Sequence, residues 1–199
     1  MIPAEDKPRG PKQVRHAILT AAHTRFAEKG FSASLREIAA DAGVNLGLIH
    51  KYVGNKEELI REILRRDLKV GAVLIKRETT LPELLRRMFL TGVADPAYVR
   101  ITAWLTLEGR TDLLRQEQPG SMALIQAAEP SSKGDIRLTT ALAAVYGWSL
   151  FSSEILFFAG IPDEQKEEVE QRMADLLASL VDREEGAAEG SGAQAPTGP

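Results

Sequence analysis

Residues 34–53 read SLREIAADAGVNLGLIHKYV, and the way this stretch divides decides the fold. Ser34 followed three residues later by Glu37 is a capping box: the hydroxyl accepts a free N–H of the first helical turn while the carboxylate reaches back to the cap residue's own N–H. A helix therefore starts at Leu35, with Leu35, Ile38, Ala39 and Ala42 on one apolar stripe, and Gly43 stops it after about two turns. Val44 supplies an apolar plug in the turn, and Asn45 caps a second short helix, Leu46 to Tyr52. Two short helices joined by a tight glycine-containing turn form the helix-turn-helix pattern.

Outward from this unit the chain continues as helices. Upstream, Val14, Ile18, Ala21, Ala22, Arg25 and Phe26 recur at three-to-four spacing from Lys12 until Gly30. Before them Pro3, Pro8, Gly10 and Pro11 make residues 1–11 a flexible arm. Downstream, Asn55 caps a fourth helix that runs from Lys56 towards Lys76, with Glu57 and Glu58 at its positive end. Thr80 and Glu83 form another capping box around Pro82, and Asp95 with Pro96 opens a helix reaching about Glu117. Ser121 to Ala128 reads as a short helix, residues 129–135 as a loop, and Asp135 to Ala159 and Asp163 to Asp182 as the last two helices. Apolar and polar residues nowhere alternate over a strand's length, so the class is all-α. The divisions expected are the arm, a helix-turn-helix domain over 12–58, a second helical domain over 59–182, and a disordered tail over 183–199.

Composition narrows the function. With 44% apolar and 27% charged residues in 199, the chain is an ordinary globular one. The absence of cysteine excludes disulfides, a thiol nucleophile and thiolate metal or iron–sulfur sites. His16, His23 and His50 lack the HExxH arrangement and read as exposed helix residues, so neither metal nor cofactor is expected. The charged, proline-rich start does not resemble a signal peptide, which points to the cytoplasm. Leu138 to Ile161 is long enough to cross a bilayer, but Ser149, Ser152, Ser153, Glu154 and two glycines interrupt it, so a buried helix and no membrane partner is the reading. Residues 1–70 hold 13 Lys+Arg against 9 Asp+Glu, a net +4, whereas the remainder holds 12 against 19, a net −7. A basic front half favours a nucleic-acid contact there.

The ordered set ILTAAHTRFAEKGF, SLREIAADAGV, NLGLIHKYV and NKEEL, with its spacing intact, resembles the DNA-binding domain of the TetR family of bacterial transcriptional repressors. Phe26, Gly30, Phe31, Ile38, Ala39, Ala42, Gly43, Val44, Gly47, Tyr52 and Lys56 carry the likeness together, over about a quarter of the chain. The resemblance implies a dimer on a palindromic double-stranded operator and a small-molecule effector in the second domain. It also implies phosphate contacts at His50, Lys51 and Tyr52 and at Lys56, whose helix N-terminus adds a favourable field for an anion. Two positions depart from the family's usual Tyr and Phe: His50, a shorter and titratable group, and Val53. Asn45, Leu46, Gly47 and Leu48 occupy the narrow front of the recognition helix, with readout expected from Asn45 and from leucine contact with thymine methyls, and Arg36 reaches phosphate or a base edge.

Eight of the 11 aromatic residues lie between 89 and 158, material for a bundle core or for an apolar cavity. Glu108 lies on the stripe of Ile101, Trp104 and Leu105, and Glu154 is bracketed by Leu150, Phe151, Phe157 and Phe158. A carboxylate on an apolar face needs a partner: an internal arginine, Arg100 or Arg87, or a ligand in a pocket of Arg100, Trp104, Glu108, Trp148, Phe151 and Glu154. For the dimer, Leu142, Val145 and Ser149 on one helix and the stripe Val169, Met173, Leu176, Leu177 and Leu180 on the next are expected to pair with the same helices of a second copy. The chain therefore reads as a homodimeric DNA-binding regulator released from its operator by a ligand. The rival readings are a constitutive DNA binder without ligand and an all-α enzyme using Glu108 and Glu154 as acid and base.

Overall fold

The computed structural model describes residue 8 and residues 10–73, 80–116 and 135–182, and side chains among these except at 68–73, 115 and 116. Among the described residues all regular structure is helical: α1 Pro11–Lys29, α2 Leu35–Asp41, α3 Leu46–Tyr52, α4 Lys56–Val73, α5 Leu81–Ala94, α6 Ala97–Leu107, α7 Thr111–Gln116, α8 Ile136–Ala159 and α9 Lys166–Val181. Single 3-10 turns follow α1 and precede α9. The helix starts are those the capping residues dictate. The Ser34 hydroxyl accepts the Glu37 N–H at 3.1 Å while the Glu37 carboxylate accepts the Ser34 N–H at 2.9 Å. Asn45 accepts from the Leu48 N–H at 3.0 Å and Asn55 from the Glu58 N–H at 2.9 Å.

The helices close two hydrophobic cores. The front core gathers Ile18, Ala22 and Phe26 of α1, Ile38 of α2, Ile49 of α3 and Leu59, Ile60, Ile63 and Leu64 of α4, and it continues into Ala97, Ile101 and Leu105 of α6 and Leu113 of α7. Apolar burial thus runs past residue 58, and the helix-turn-helix unit shares its interior with the middle of the chain. The rear core joins Leu84, Leu85 and Phe89 of α5 to Leu138, Leu142, Val145 and Trp148 of α8 and Ala174, Leu177 and Val181 of α9.

Several expectations change here. The single helix from Asp95 to Glu117 is two helices, because Gly109 at φ +70 ends α6 and sends the chain into α7. Leu142, Val145, Ser149 and Leu177, expected on a dimer interface, are already covered within the chain itself, each at most 9% exposed. Val169, Met173 and Leu180 pack half-buried against the same core. Of the expected interface stripe Leu176 alone stays open, at 60% exposure. The reason is α5, which lies against α9 and takes up the stripe; Arg86 of α5 bonds Asp175 of α9 at 2.8 Å. Half of α8 is a core helix, but beyond its bend at Phe151 it leaves Phe151, Ile155, Phe157 and Phe158 exposed. His23 is half-buried against Asp67 rather than exposed. The short helix expected at Ser121 to Ala128, most of the loop after it, the last turn towards Lys76, the arm apart from residues 8, 10 and 11, and the tail lie outside the described residues.

Candidate nucleic-acid interface

The helix-turn-helix is held rigid from behind. Ile49, on the inner side of α3, is fully buried, and Leu46, Leu48 and Tyr52 pack half-buried around it. Two ion pairs tie α2 to α1: Arg25 grips both Asp41 oxygens, with Nη2 to Oδ1 at 3.0 Å, and Lys29 donates to Glu37 at 2.6 Å. The Lys29 bond, followed by those from Ser34, pulls the Glu37 carboxyl down to about 2, and Arg25 holds Asp41 below the usual carboxylate range. Both acids are therefore charged anchors at any physiological pH.

What remains uncovered is polar. Arg36, Asn45, Gly47, His50 and Lys51 are exposed, and Arg36 and His50 make no bond or ion pair with the described residues. Lys51 stands 5.4 Å from the centre of the Tyr52 ring. The half-burial of Leu46 and Leu48 leaves less of either leucine for a thymine methyl than the sequence promised. Gly47 leaves an open notch in this face; a Cβ there would meet only the Asn45 cap oxygen, at 3.2 Å. Lys56 is placed differently from expectation. Its ammonium donates to the Phe31 carbonyl and lies 4.3 Å from the Phe31 ring centre, and burial lowers its pKa.

The six residues expected around a pocket are not gathered in one place. Trp104 is 38% exposed and lies against Gly30, where an added Cβ would come within 2.7 Å of the Trp104 Cβ and 2.8 Å of the indole Cγ. Glu108 is exposed and accepts the Phe31 N–H at 3.0 Å, so its partner is a backbone amide rather than an arginine or a ligand. Trp148 is buried in the rear core, its indole N–H donating to Glu170 at 3.1 Å. Arg100, Phe151 and Glu154 are exposed, and Arg87 pairs with Glu83 at 2.6 Å. Both glutamates avoid burial because one caps the end of α6 and the other lies on the open side of the α8 bend. Sequence reading missed Arg110, which donates to Glu57 at 2.6 Å; its neighbour Gly109 is the signal of a corner, but spacing says nothing of a partner 53 residues away. Among the described residues no three His, Asp or Glu side chains gather as metal ligands.

Comparison with known proteins agrees with this geometry. Residues 18–63 match the model of the bacterial regulatory proteins of the tetR family. The HTH-type transcriptional repressor Rv3405c of Mycobacterium tuberculosis is 33% identical over 192 residues, covering 90% of this chain and 97% of the repressor. The HTH-type transcriptional repressor SCO4008 of Streptomyces coelicolor is 33% identical over 111 residues, 55% of this chain and 58% of its own length. Among solved structures, a TetR family transcription regulator from Marinobacter aquaeolei superposes with a TM-score of 0.60 at 19% identity, over 84% of this chain and 94% of that one.

Proposed function

Because the chain belongs to the TetR family of transcriptional regulators, and is a DNA-binding regulator rather than an enzyme, we propose that it acts as a homodimeric repressor of a palindromic operator in the bacterial cytoplasm, released by a small-molecule effector. In this reading Arg36, Asn45, Gly47, His50 and Lys51 form the surface that meets the major groove, with Leu46, Leu48 and Tyr52 at its margin and Lys56 beside the phosphates. The observation that carries it is the uncovered polar face of α3 backed by a fully apolar inner face. Such a helix presents donors and a small front end to a groove about 12 Å wide while its scaffold stays fixed.

The dimer is supported by a second surface. Phe157 and Phe158 are 79% and 84% exposed, their rings edge to face at 5.6 Å, with Phe151, Ile155 and Leu176 also open. Large exposed aromatics in a cluster mark an interaction site. A two-fold pairing of α8 and α9 with their copies would cover them and set two recognition helices one DNA turn apart. The effector half of the proposal rests on membership of the family, and none of the residues first expected to anchor a ligand is retained for that role. An effector that prefers one dimer geometry shifts the population away from the operator-bound form by its differential affinity.

Selection of genomic fragments by the purified protein tests this reading. A palindromic sequence should be enriched and bound well above bulk DNA; recovery of random fragments only would overturn it.

A further inference from the structure

Phe31, in the turn between α1 and α2, is held by groups from two distant parts of the chain. Its N–H donates to Glu108 Oε2 at 3.0 Å, its carbonyl accepts from Lys56, and its ring centre lies 4.3 Å from the Lys56 ammonium and 4.4 Å from the Arg110 guanidinium carbon. Arg110 in turn donates to Glu57 Oε1 at 2.6 Å, a charge-assisted bond, and faces Asp112 at 3.4 Å. Glu108 and Arg110 flank Gly109 at the corner between α6 and α7. The fit is close: Gly30 sits at φ +57, and a Cβ built on it would fall 3.0 Å from Glu108 Oε1 as well as against Trp104.

The topology gives this cluster its meaning. Phe31 precedes α2, and Lys56 and Glu57 follow α3, so the α6–α7 corner grips both ends of the segment that carries the helix-turn-helix. Neither gripping residue is suited to bind DNA itself. Glu108 repels phosphate, and the Arg110 charge is offset by Glu57 and Asp112, which take its Nη2 and Nε donors.

We propose that Glu108 and Arg110 are positioning residues for DNA binding, fixing the orientation of the Phe31 turn and of Lys56 without touching the nucleic acid. The proposal rests on the DNA-binding reading above. Two modules that must enter adjacent grooves together gain affinity from being held in advance, whereas non-specific binding, governed by charge, does not need that register. The clamp therefore acts on the ratio of operator to bulk affinity.

The test uses the full-length protein and four variants, Arg110→Gln, the double Arg110→Gln/Glu57→Gln, Glu108→Ala and Glu108→Gln, the last keeping an acceptor for the Phe31 N–H. Arg110→Gln and Glu108→Ala should lower operator affinity about tenfold with bulk affinity within about twofold and the salt slope unchanged. The double variant should be no weaker than Arg110→Gln, since both remove one bond, and Glu108→Gln should stay near the parent. Amide exchange at Phe31, followed by NMR without DNA, should accelerate in Glu108→Ala. Faster exchange with unchanged operator affinity would reduce the clamp to a structural contact and overturn the proposal. A salt slope shallower by about one unit in Arg110→Gln would overturn it differently, by making Arg110 a phosphate ligand. Failure of the unmodified protein to prefer any duplex would instead strike the DNA-binding reading and this proposal with it.

Discussion

The recognition helix α3 and the second half of α8 each leave one face uncovered, with opposite chemistry. At α3 the open positions are Gly47, His50 and Lys51 with the cap residue Asn45; on α8 the large apolar side chains left open are Phe151, Ile155, Phe157 and Phe158, beside Ser153 and Glu154. Water solvates the first set well, so that face is stable alone and available to a polyanion. The second set leaves apolar surface in water, at a cost of roughly 25 cal/mol per Å², which an apolar partner would remove. In the proposed reading one face serves a partner that comes and goes with salt, the other a partner that stays. The substitutions that follow set these faces against each other.

The largest effect is expected at Gly47. In the proposed reading its open notch lets the helix approach the groove, so Gly47→Leu should weaken operator binding by more than ~100-fold while helical content and Tm stay near those of the parent. Circular dichroism and fluorescence anisotropy check the two halves. Tight binding by this variant would remove α3 from the groove.

Next comes the apolar face, where one exposed and one buried position discriminate. Phe158, at 84% exposure, should tolerate glutamate as a fold but not as a dimer, so Phe158→Glu with Phe157→Glu should sediment as a monomer where the parent sediments as a dimer at micromolar concentration. Leu177, at 4% exposure, should not tolerate it at all: Leu177→Glu buries an unpaired charge and should unfold the rear core, at several kcal/mol. Folded, dimeric Phe157→Glu/Phe158→Glu would show that this face is not the interface.

The same contrast explains what sequence could and could not tell. The front half is legible because its signals are local: Ser34 with Glu37 and Asn45 with Leu48 make their bonds within three residues, and the apolar stripes of α1 and α2 point where the core lies. The rear half is decided by contacts far apart in the chain. The stripe Val169, Met173, Leu177 and Leu180 has the right period for any partner, and nothing in it says that α5, some 85 residues earlier at the Arg86–Gln171 bond, takes the place expected of a second copy. Glu108 was visible as an anomaly on an apolar stripe, yet its resolution is an amide 77 residues away. Periodicity names a face; only the packing names what it meets.

A smaller effect separates a charge on the polar face from the scaffold beneath it. If Lys56 reaches phosphate when DNA binds, Lys56→Ala should weaken all sequences about equally and make the dependence of log affinity on log salt shallower by about one unit. Its present bond to the Phe31 carbonyl leaves two of the three ammonium donors for that task. A loss confined to the operator, with the slope intact, would place Lys56 among the positioning groups instead.

The smallest effect probes the packing of α1 on α4. His23 of α1 sets Nε2 3.3 Å from Asp67 Oδ2 of α4, an ion-pair distance, and that oxygen is buried with no hydrogen bond of good geometry to any group. The contact with Asp67 raises the imidazole pKa, against burial and the Arg66 charge and with help from the charges of Asp67 and Asp95. Since the folded value lies above the unfolded one of 6.5, the pair's contribution is fully present below about pH 6.5 and is lost as pH rises through the folded value. The fall in Tm between pH 6 and pH 8.5 should shrink in Asp67→Asn, and should shrink likewise in His23→Gln, because either change removes the titrating pair. If Asp67→Asn keeps the full slope of the parent, the titration lies elsewhere and the His23–Asp67 contact adds nothing to the fastening of α1 to α4, which apolar packing and the Arg15–Glu62 ion pair then carry.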